Sequence, residues 1–319
     1  FRSVAAGASY WVLAIAESPL WQRVIAATVL VGALISTATG IMHDANHGSF
    51  SSHRWLNRAA ACSADLLGAS SWLWRFKHNH LHHGNTNVSG FDSDIEQEPF
   101  ARLSPDQQWR TWHRWQFIYL WFLYGFFAMK NVILGDLRNL SAHRVGSQDI
   151  PGSSRRSVSL RVGLGKVAHL SWALIVPFFF NPWWGVLAFY FVCSWCVGFV
   201  LAVVFQLAHC VDTAEFPEID SARRGDAFYS HQLRTTVDIA SPLPVVGHVF
   251  RWLVGGLDCQ IEHHLSPRWP HTVYPLVARR FHDACREAGV TIKRHSGIRS
   301  ALRSHMRWLM DMGRAPQTV

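Results

Sequence analysis

"GVLAFYFVCSWCVGFVLAVVFQ", Gly185 to Gln206, decides the fold, because it runs for 22 residues without a charged side chain. A helix needs about 20 apolar residues to cross a bilayer, so this stretch predicts a membrane-spanning helix. Three weaker apolar stretches lie outward from it along the chain. We therefore expect four transmembrane helices, at about 4–16, 24–40, 167–180 and 185–206.

The composition indicates a protein that is partly in the membrane and partly in water. The chain is 49% hydrophobic and 16% charged, whereas an average soluble domain is about 25% charged. Its 16 Trp residues are of the type that favours the boundary between membrane and water. A mean hydropathy of only +0.07 predicts a substantial water-facing part as well.

The basic residues predict how the spans are oriented. The connection 17–23 between the first two spans contains one Arg, and 181–184 between the last two contains no Lys or Arg. The long segments 41–166 and 207–319 are rich in Arg, so the positive-inside rule places both in the cytoplasm. No cleavable signal peptide is evident at the start of the sequence. We expect a multi-pass membrane protein with one domain, 1–319.

Two further apolar stretches do not fit as spans. If 119–134 crossed the bilayer, the Arg-rich loop after it would face the wrong side. We expect this stretch, and 59–74 in the same way, to lie in the interface or to re-enter it. The fold class expected is all-α, with two transmembrane hairpins and a cytoplasmic helical cap made of 41–166 and 207–319.

Histidines cluster in four short segments near the expected ends of the spans. They are "HDANH" at 43–47, "HNHLHH" at 78–83, His209, and "QIEHH" at 260–264. The two histidines of the first segment are four residues apart, so they share one face of a helix. Because each segment lies at or beyond the cytoplasmic end of a span, all four are expected at one depth.

This pattern predicts metal binding, because imidazole is a frequent ligand of iron, zinc and copper. One zinc ion needs about four ligands, and a set of eight histidines suits two metal ions. Nitrogen-rich ligation with open positions suits iron that must bind oxygen. The expected ligands are His43, His47, His78, His82, His83, His209, His263 and His264. The histidines expected to be core or surface residues are His53, His80, His113, His143, His169, His231 and His248.

The three histidine motifs resemble the histidine boxes of the membrane fatty acid desaturases. The Gln of "QIEHH" resembles the front-end and linoleoyl-CoA branch, and the resemblance covers most of the chain from Gly40 to Pro270. It implies a four-helix anchor under a cytoplasmic cap, with the eight histidines holding two irons. It also implies that oxygen and two external electrons remove two hydrogens from an acyl chain. No catalytic residue apart from the metal ligands and no organic cofactor site is expected.

Several residues near the boxes are expected to contact the metal ligands. Gln260 stands where other branches have His, and it could ligate, bond a metal-bound water or only support its neighbours. Asp258 departs from the Asn expected there, and an acid could alter hydrogen bonding or add negative charge beside iron. Other acids are alternatives that could equally cap a helix or face solvent. They are Asp44, Asp92, Asp94 and Glu262.

The resemblance implies a fatty acyl substrate, carried on CoA, on acyl carrier protein or in a lipid, in contact with membrane lipid. The sequence contains no His-Pro-Gly-Gly haem motif, so electrons are expected from a separate protein. Ferredoxin with its reductase is the donor expected, with cytochrome b5 or rubredoxin as alternatives. Basic residues near the irons are expected to attract an acidic ferredoxin, and nucleic acid is not expected as a partner. These residues are Arg75, Lys77, Arg251 and Arg268.

Other functions remain open from the sequence. Hydroxylases, acetylenases and ketolases that act on acyl or lipid substrates share similar boxes. A different class comprises zinc-binding membrane receptors and lipid hydrolases, which should hold zinc and consume no oxygen. Iron content together with oxygen consumption separates the two classes.

Overall fold

The computed structural model describes residues 2–218, 228–240 and 244–316, and they are mostly helical. The all-α prediction is confirmed in this coarse form, with short two-residue strands added. The chain divides into two compact units. The first consists of Phe1–Trp74, Leu123–Arg144 and Asp149–Ala202, and the second of Arg75–Phe122, Val145–Gln148 and Val203–Val319.

Residues 2–141 form short and medium helices that are joined by irregular helical turns. The α-helices are α1 (Arg2–Ala14), α2 (Leu20–Ser36), α3 (His43–His47), α4 (Arg54–Ala61), α5 (Ser63–Leu66), α6 (Ser71–Arg75), α7 (Gln116–Tyr124), α8 (Phe126–Lys130) and α9 (Asp136–Ser141). π-Helical turns occupy Thr37–Met42, Phe76–His82 and Asn131–Gly135, and a 3₁₀ turn occupies Thr111–Trp115.

The remaining described residues add longer helices and two small sheets. The elements are β1 (Arg144–Val145), β2 (Gln148–Asp149), α10 (Arg155–Leu170), α11 (Val176–Phe178), α12 (Trp183–His209), α13 (Phe228–Thr235), β3 (Asp238–Ile239), α14 (Pro244–Leu253), α15 (Gln260–Leu265), α16 (Tyr274–Glu287), β4 (Arg294–His295) and α17 (Ile298–Gly313). A 3₁₀ turn lies at Gly152–Ser154 and a π turn at Ser171–Ile175. Strand β1 pairs with β2, and β3 runs parallel to β4 with Asp238 opposite Arg294.

Two helical stretches of the described chain are long and apolar enough to cross a membrane by themselves. They are Leu20–His47, with 28 residues, and Trp183–His209, with 27. A third span is added if the bent pair Thr111–Tyr124 and Phe126–Ser141 counts as one, and the bend between its two parts is 74°. Ser3–Ala14 is a shorter apolar helix. The spans expected at 24–40 and 185–206 therefore lie inside longer helices, and the stretch expected to re-enter is broken.

Within the first unit, the turn after α1 contacts the turn before α12. The side-chain amide of Asn181 donates to the carbonyl oxygen of Ala14 at 2.8 Å, and the guanidinium of Arg23 donates to the Asn181 side-chain oxygen. The Nε atom of Arg23 also donates to Ser18 O at 2.9 Å. These bonds satisfy polar groups at turns between apolar helices, and they bring both turns to the same end of the unit.

Small residues allow α12 to approach the break between α7 and α8 closely. A Cβ atom at Gly198 would clash with the carbonyl oxygen of Gly125 and would lie 2.9 Å from the nitrogen of Ala128. A Cβ atom at Gly125 would overlap the indole of Trp195. Glycine is needed at both positions because backbone and ring occupy the space of a side chain.

In the second unit, the end of α12 is anchored in a small apolar core. Leu207 on α12, Ile239 on β3 and Ala301 on α17 are buried together, with Val203 and Leu302 packed against them. Burial of these side chains stabilises the last turn of α12 by the hydrophobic effect. That turn carries His209, so the core fixes the position of one predicted ligand.

Candidate metal centre

The second histidine motif lies on the π-helical turn Phe76–His82. In a π turn each N–H bonds to the carbonyl five residues earlier, and the N–H of His83 donates to His78 O at 3.0 Å. Residues five apart therefore lie side by side, and the Nε2 atoms of His78 and His83 are 3.3 Å apart. The sequence spacing predicted that His78 and His82 are neighbours, and their rings stack with centroids 5.3 Å apart.

Buried imidazoles form two groups of three within the second unit. One nitrogen each from His82, His209 and His264 lies within 4.8 Å of the other two. His83, His263 and His264 form a second group by the same measure. All five side chains are buried, and His264 belongs to both groups. Two adjacent sets of nitrogen donors with a shared member fit a pair of metal ions that prefer imidazole.

Asp92 orients the ring of His82. The His82 Nδ1 atom lies 2.9 Å from Asp92 Oδ2, and the same oxygen accepts the backbone N–H of Asn87 at 2.9 Å. A carboxylate at this distance holds the proton on Nδ1 and directs Nε2 to the other side of the ring. Among the described residues, His82 Nε2 is buried without a hydrogen-bond partner. This arrangement is typical of a metal-ligating histidine.

Asp94 lies on the other side of the same motif and is paired with Lys77. Its backbone N–H donates to Asp92 Oδ1 at 2.9 Å, and its carboxylate is 4.0 Å from the Nδ1 atoms of His78 and His82. Burial opposes the charged acid, but Lys77 and the two imidazoles hold the pKa of Asp94 well below its usual range. The positive charge of Lys77 is therefore paired with Asp94 inside the site.

Gln232 on α13 supports the ring of His264. Its side-chain oxygen accepts from His264 Nδ1 at 2.8 Å and from the hydroxyl of Thr86 at 3.1 Å. Its side-chain amide donates to the carbonyl oxygen of His83 at 2.9 Å. Gln232 is fully buried, so one side chain ties two histidine segments together and fixes the tautomer of His264.

Two other side chains contact the remaining ligands. The Tyr274 hydroxyl is 3.2 Å from His263 Nδ1 and donates to Trp269 O at 2.7 Å. The Nε2 atom of Gln260 is 2.9 Å from His209 Nε2. Gln260 therefore touches a predicted ligand directly, whichever of its three expected roles it has.

Asp258, the residue that departs from the expected Asn, is paired with Arg251. The Asp258 carboxylate is fully buried, and it accepts from Arg251 Nε at 3.0 Å and from Nη2 at 2.8 Å. A guanidinium in this two-point geometry offsets the negative charge of the acid. The extra charge expected beside the irons is thus neutralised locally.

Glu262 on α15 belongs to a second cluster of polar side chains, together with His282 and Asp238. His282 Nε2 on α16 is 2.9 Å from Glu262 Oε1 and 3.1 Å from Asp238 Oδ2 on β3. The hydrogen bonds to Asp238 and then to Glu262 raise the pKa of His282 to about 9. Asp238 also accepts the backbone N–H of Ile261 at 2.9 Å.

His43 and His47 belong to the first unit, where they lie on α3. Their ring centroids are 4.7 Å apart, and the indole of Trp74 contacts the ring of His43 at 5.7 Å. Asp44, a predicted neighbour of the ligands, has its carboxylate 3.9 Å from His43 Nδ1. The predicted spacing of four residues does bring these two imidazoles together.

The histidines that were not predicted as ligands have other surroundings. His80 is exposed, with its ring 5.5 Å from that of Phe76. His113 bonds to Pro99 O at 2.9 Å. His231 bonds to Thr86 O at 3.0 Å and so lies next to the centre.

Sequence reasoning missed Gln232, Tyr274, Asp238 and His282. Each contacts the motifs across more than ten residues of chain, and no spacing rule links such positions. Gln232 and Asp238 do fall in "HQLRTTVDIA", within the range Gly40 to Pro270 over which the chain resembles the desaturases.

Comparisons with known proteins agree with this geometry. The sequence model of the family "Fatty acid desaturase" matches residues 19–296. An sn-1 linoleoyl-lipid 6-desaturase of Arthrospira platensis is 33% identical over 301 residues, which cover 94% of this chain and 80% of the relative. A protein of the same name from Synechocystis is 33% identical, with 92% and 81% covered. An acyl-lipid (8-3)-desaturase of Physcomitrium patens is 33% identical, with 92% and 59% covered. The chain therefore belongs to the fatty acid desaturase family, and it is a membrane oxidoreductase that desaturates fatty acyl chains.

Proposed function

We propose that the desaturase reaction takes place at a centre of two irons held by the eight histidines of the boxes. The observation that carries this proposal is the pair of imidazole groups that share His264. His43 and His47 enter the proposal on the match of their motif alone. When bound, the irons supply the oxidising chemistry with oxygen that an unactivated methylene requires and that amino acid side chains lack.

The residues around the ligands then have supporting roles. Asp92 and Gln232 hold the Nδ1 protons of His82 and His264 and so direct the opposite nitrogens of both rings. Gln260 contacts His209 and keeps that ring in place. Arg251 offsets the charge of the buried Asp258, and Lys77 offsets that of the half-buried Asp94, which limits the net negative charge near the metals.

We propose an acyl group of a membrane lipid as the substrate. The support is that the relatives from Arthrospira and Synechocystis are named as acting on an sn-1 linoleoyl lipid. Acyl-CoA and acyl carrier protein are the competing carriers. Mass spectrometry of lipids from cells that express the chain identifies the carrier and the position of the new double bond.

The metal proposal is tested by iron content and turnover together. Purified protein should contain two irons per chain and consume oxygen with substrate, and His83→Ala and His264→Ala should lower both iron and turnover. Each variant removes a nitrogen donor that water replaces poorly. His80→Ala, the matched control, should retain iron because that ring is exposed. Stoichiometric zinc in an active preparation, or full turnover of the His83 variant, would refute the diiron proposal and favour a zinc-dependent class.

We also propose that the chain crosses the membrane four times as two hairpins, with the histidine segments on the cytoplasmic side. The helices expected to cross are those at about 4–16, 24–40, 167–180 and 185–206. The bonds of Asn181 and Arg23 support this topology, since two hairpins of this kind have both turns at one end.

Electrons, in this proposal, come from a separate carrier, with ferredoxin and its reductase first and cytochrome b5 or rubredoxin as the competitors. Of the four basic residues expected to attract it, Lys77 and Arg251 are engaged in ion pairs with Asp94 and Asp258. Arg75 and Arg268 are exposed. Attraction should therefore be weaker than the sequence suggested, and added salt should raise the apparent KM for ferredoxin only modestly. Turnover with NADPH and substrate, without any added carrier, would contradict the need for a donor.

A further inference from the structure

We propose that His282 is a positioning residue, which holds helix α15 in place by bridging the buried carboxylates of Asp238 and Glu262. Helix α15 carries two of the predicted ligands, His263 and His264. Only the expected effect on iron binding therefore rests on the proposed diiron function.

The bridge joins three elements of the second unit at the start of α15. His282 projects from α16, and its Nε2 atom lies 3.1 Å from Asp238 Oδ2 and 2.9 Å from Glu262 Oε1. Asp238 is on β3, and its other oxygen accepts the N–H of Ile261 at 2.9 Å. Asp238 therefore accepts a hydrogen bond from the backbone in the first turn of α15. Glu262, which is itself a residue of α15, pairs with His282.

Helix α15 depends on such outside contacts because it is only six residues long. A helix of this length is not stable on its own, since its first turn costs more conformational freedom than it gains in hydrogen bonds. Ile261 and Glu262 immediately precede His263 and His264, and all four side chains are buried. A change at the bridge should therefore reach both imidazoles through one turn of helix.

Charge makes the bridge necessary. The side chains of Asp238 and Glu262 are each 3% exposed, and two buried carboxylates without a cation are strongly unfavourable. The imidazolium of His282 lies between them and offsets negative charge of the two acids. If His282 is replaced by an apolar residue, this compensation is lost and the two acids repel each other.

The same three side chains include groups that ligate metals, and their donor atoms lie within 4.8 Å of one another. His282 Nε2 is hydrogen-bonded to Asp238 at 3.1 Å and forms an ion pair with Glu262 at 2.9 Å. Among the described residues, both carboxylate oxygens of Glu262 are buried without a hydrogen-bond partner. A metal ion that is lost together with His282 would therefore identify a metal site instead of a positioning role.

Hydrogen exchange of the full purified chain tests the bridge without reference to activity. It is measured with iron present and after chelator treatment. In His282→Leu, the amides of α15 should exchange about tenfold faster than in the wild type in both states, because local opening becomes easier. His282→Lys restores a cation and should recover part of the protection. The matched control is Arg286→Leu, which removes an exposed ion pair with Asp283 on the same helix and should leave α15 unchanged.

Iron content gives the second readout. At limiting iron, His282→Leu should bind at least about tenfold more weakly than the wild type, in the range found for supports of metal ligands. Glu262→Gln should also lower iron affinity. The double variant His282→Leu/Glu262→Gln should bind iron no more weakly than the single variant with the lower affinity, because both changes remove the same bridge.

Several outcomes would overturn the proposal. They are unchanged exchange of α15 in His282→Leu, an equal effect in Arg286→Leu, additive losses in the double variant, or a zinc ion that is lost with His282. If hydrogen exchange rises in all parts of the His282→Leu variant, the Glu262→Gln variant decides between the alternatives. Faster exchange confined to α15 in that variant supports the bridge, and unchanged exchange refutes it. A wild-type protein that binds no iron would instead refute the diiron centre, whereas the exchange result for the bridge would stand by itself.

Discussion

Gln232 contacts two histidine segments with one amide group, which makes it the clearest single-residue test of the centre. Gln232→Met keeps the approximate volume but removes the acceptor for His264 Nδ1 and the donor to His83 O. We expect iron affinity to fall by about 10- to 100-fold, as is usual when the partner of a ligating histidine is lost. Iron titration of the purified protein measures the change.

Gln148→Met is the matched control for this prediction, because that amide is exposed on β2. It should leave iron affinity at the wild-type value. A Gln232 variant that binds iron as tightly as the control would show that the tautomer of His264 is fixed by something else.

His305 on α17 makes the stability of the second unit depend on pH. Its Nδ1 atom donates to Cys210 O at 2.6 Å, and burial lowers the pKa of His305 to about 4 from the usual value of 6.5. Between these two values the unfolded chain takes up a proton that the folded chain refuses. The folded state therefore loses stability as the pH falls from about 6.5 to 4, by about 3 kcal/mol in total.

His305→Gln tests this effect, because its amide can donate to Cys210 O and does not titrate. Thermal unfolding of iron-free protein at a series of pH values between 7.5 and 4.5 should show a smaller fall of Tm in the variant than in the wild type. Parallel curves for the two proteins would mean that other groups cause the loss of stability in acid.

The spacing of four residues predicted that His43 lies beside His47 and that His78 lies beside His82, since this spacing on a helix is local geometry. The partners of these rings were harder to predict. Asp92 is ten residues from His82 and was a candidate, whereas Gln232 is 32 residues from His264 and His282 is 20 residues from Glu262. Such contacts depend on how helices pack, which a single sequence does not encode in its periodicity.

At the scale of helices, Gly198 offers a test of the close approach between α12 and the break after α7. Gly198→Ala places a Cβ atom against the Gly125 carbonyl and 2.9 Å from Ala128 N, where backbone has to move. Overpacking of this kind costs about 1–3 kcal/mol, and we expect Tm to fall by at least about 2 °C. Thermal unfolding in detergent, followed by tryptophan fluorescence, measures it.

Gly163→Ala serves as the control, since nothing lies within 4 Å of a Cβ atom there on α10. Alanine is the better helix former by about 1 kcal/mol, so this variant should unfold at the same or a higher temperature. An equal fall of Tm in both variants would mean that any added methyl group has this effect, and that the close approach of α12 to the break between α7 and α8 is not its cause.

Apolar length predicted the long helices well, but it did not predict their ends. The stretch expected at 24–40 lies within the helical run Leu20–His47, which continues through a π turn into α3. Hydropathy falls where the histidines begin, although the hydrogen-bonded helix does not stop there. The break at Gly125 was foreseen only as a conflict of charge, because a glycine that accommodates the ring of Trp195 has no signature in sequence.

For the whole molecule, the two-hairpin topology predicts which parts of the chain are accessible from each side of the membrane. On a background without the six native cysteines, a single cysteine at Trp184 should react with an impermeant reagent added outside intact cells. A cysteine at Ser147 should react only after the cytoplasmic side is opened, because the Arg-rich segment is expected there. Labelling of the 184 position only from the cytoplasm would rule out two hairpins.

The π turn at Phe76–His82 makes the number of residues in this segment as important as their identity. Such a turn contains one residue more than an α turn, and the extra residue is what brings His83 beside His78. Inserting one residue next to the exposed His80 should place His78 and His83 six residues apart, on different faces of the helix, and abolish iron binding, whereas His80→Ala should not. The segment should accordingly tolerate replacements at its exposed position but no added residue, which iron analysis of the insertion variant can establish.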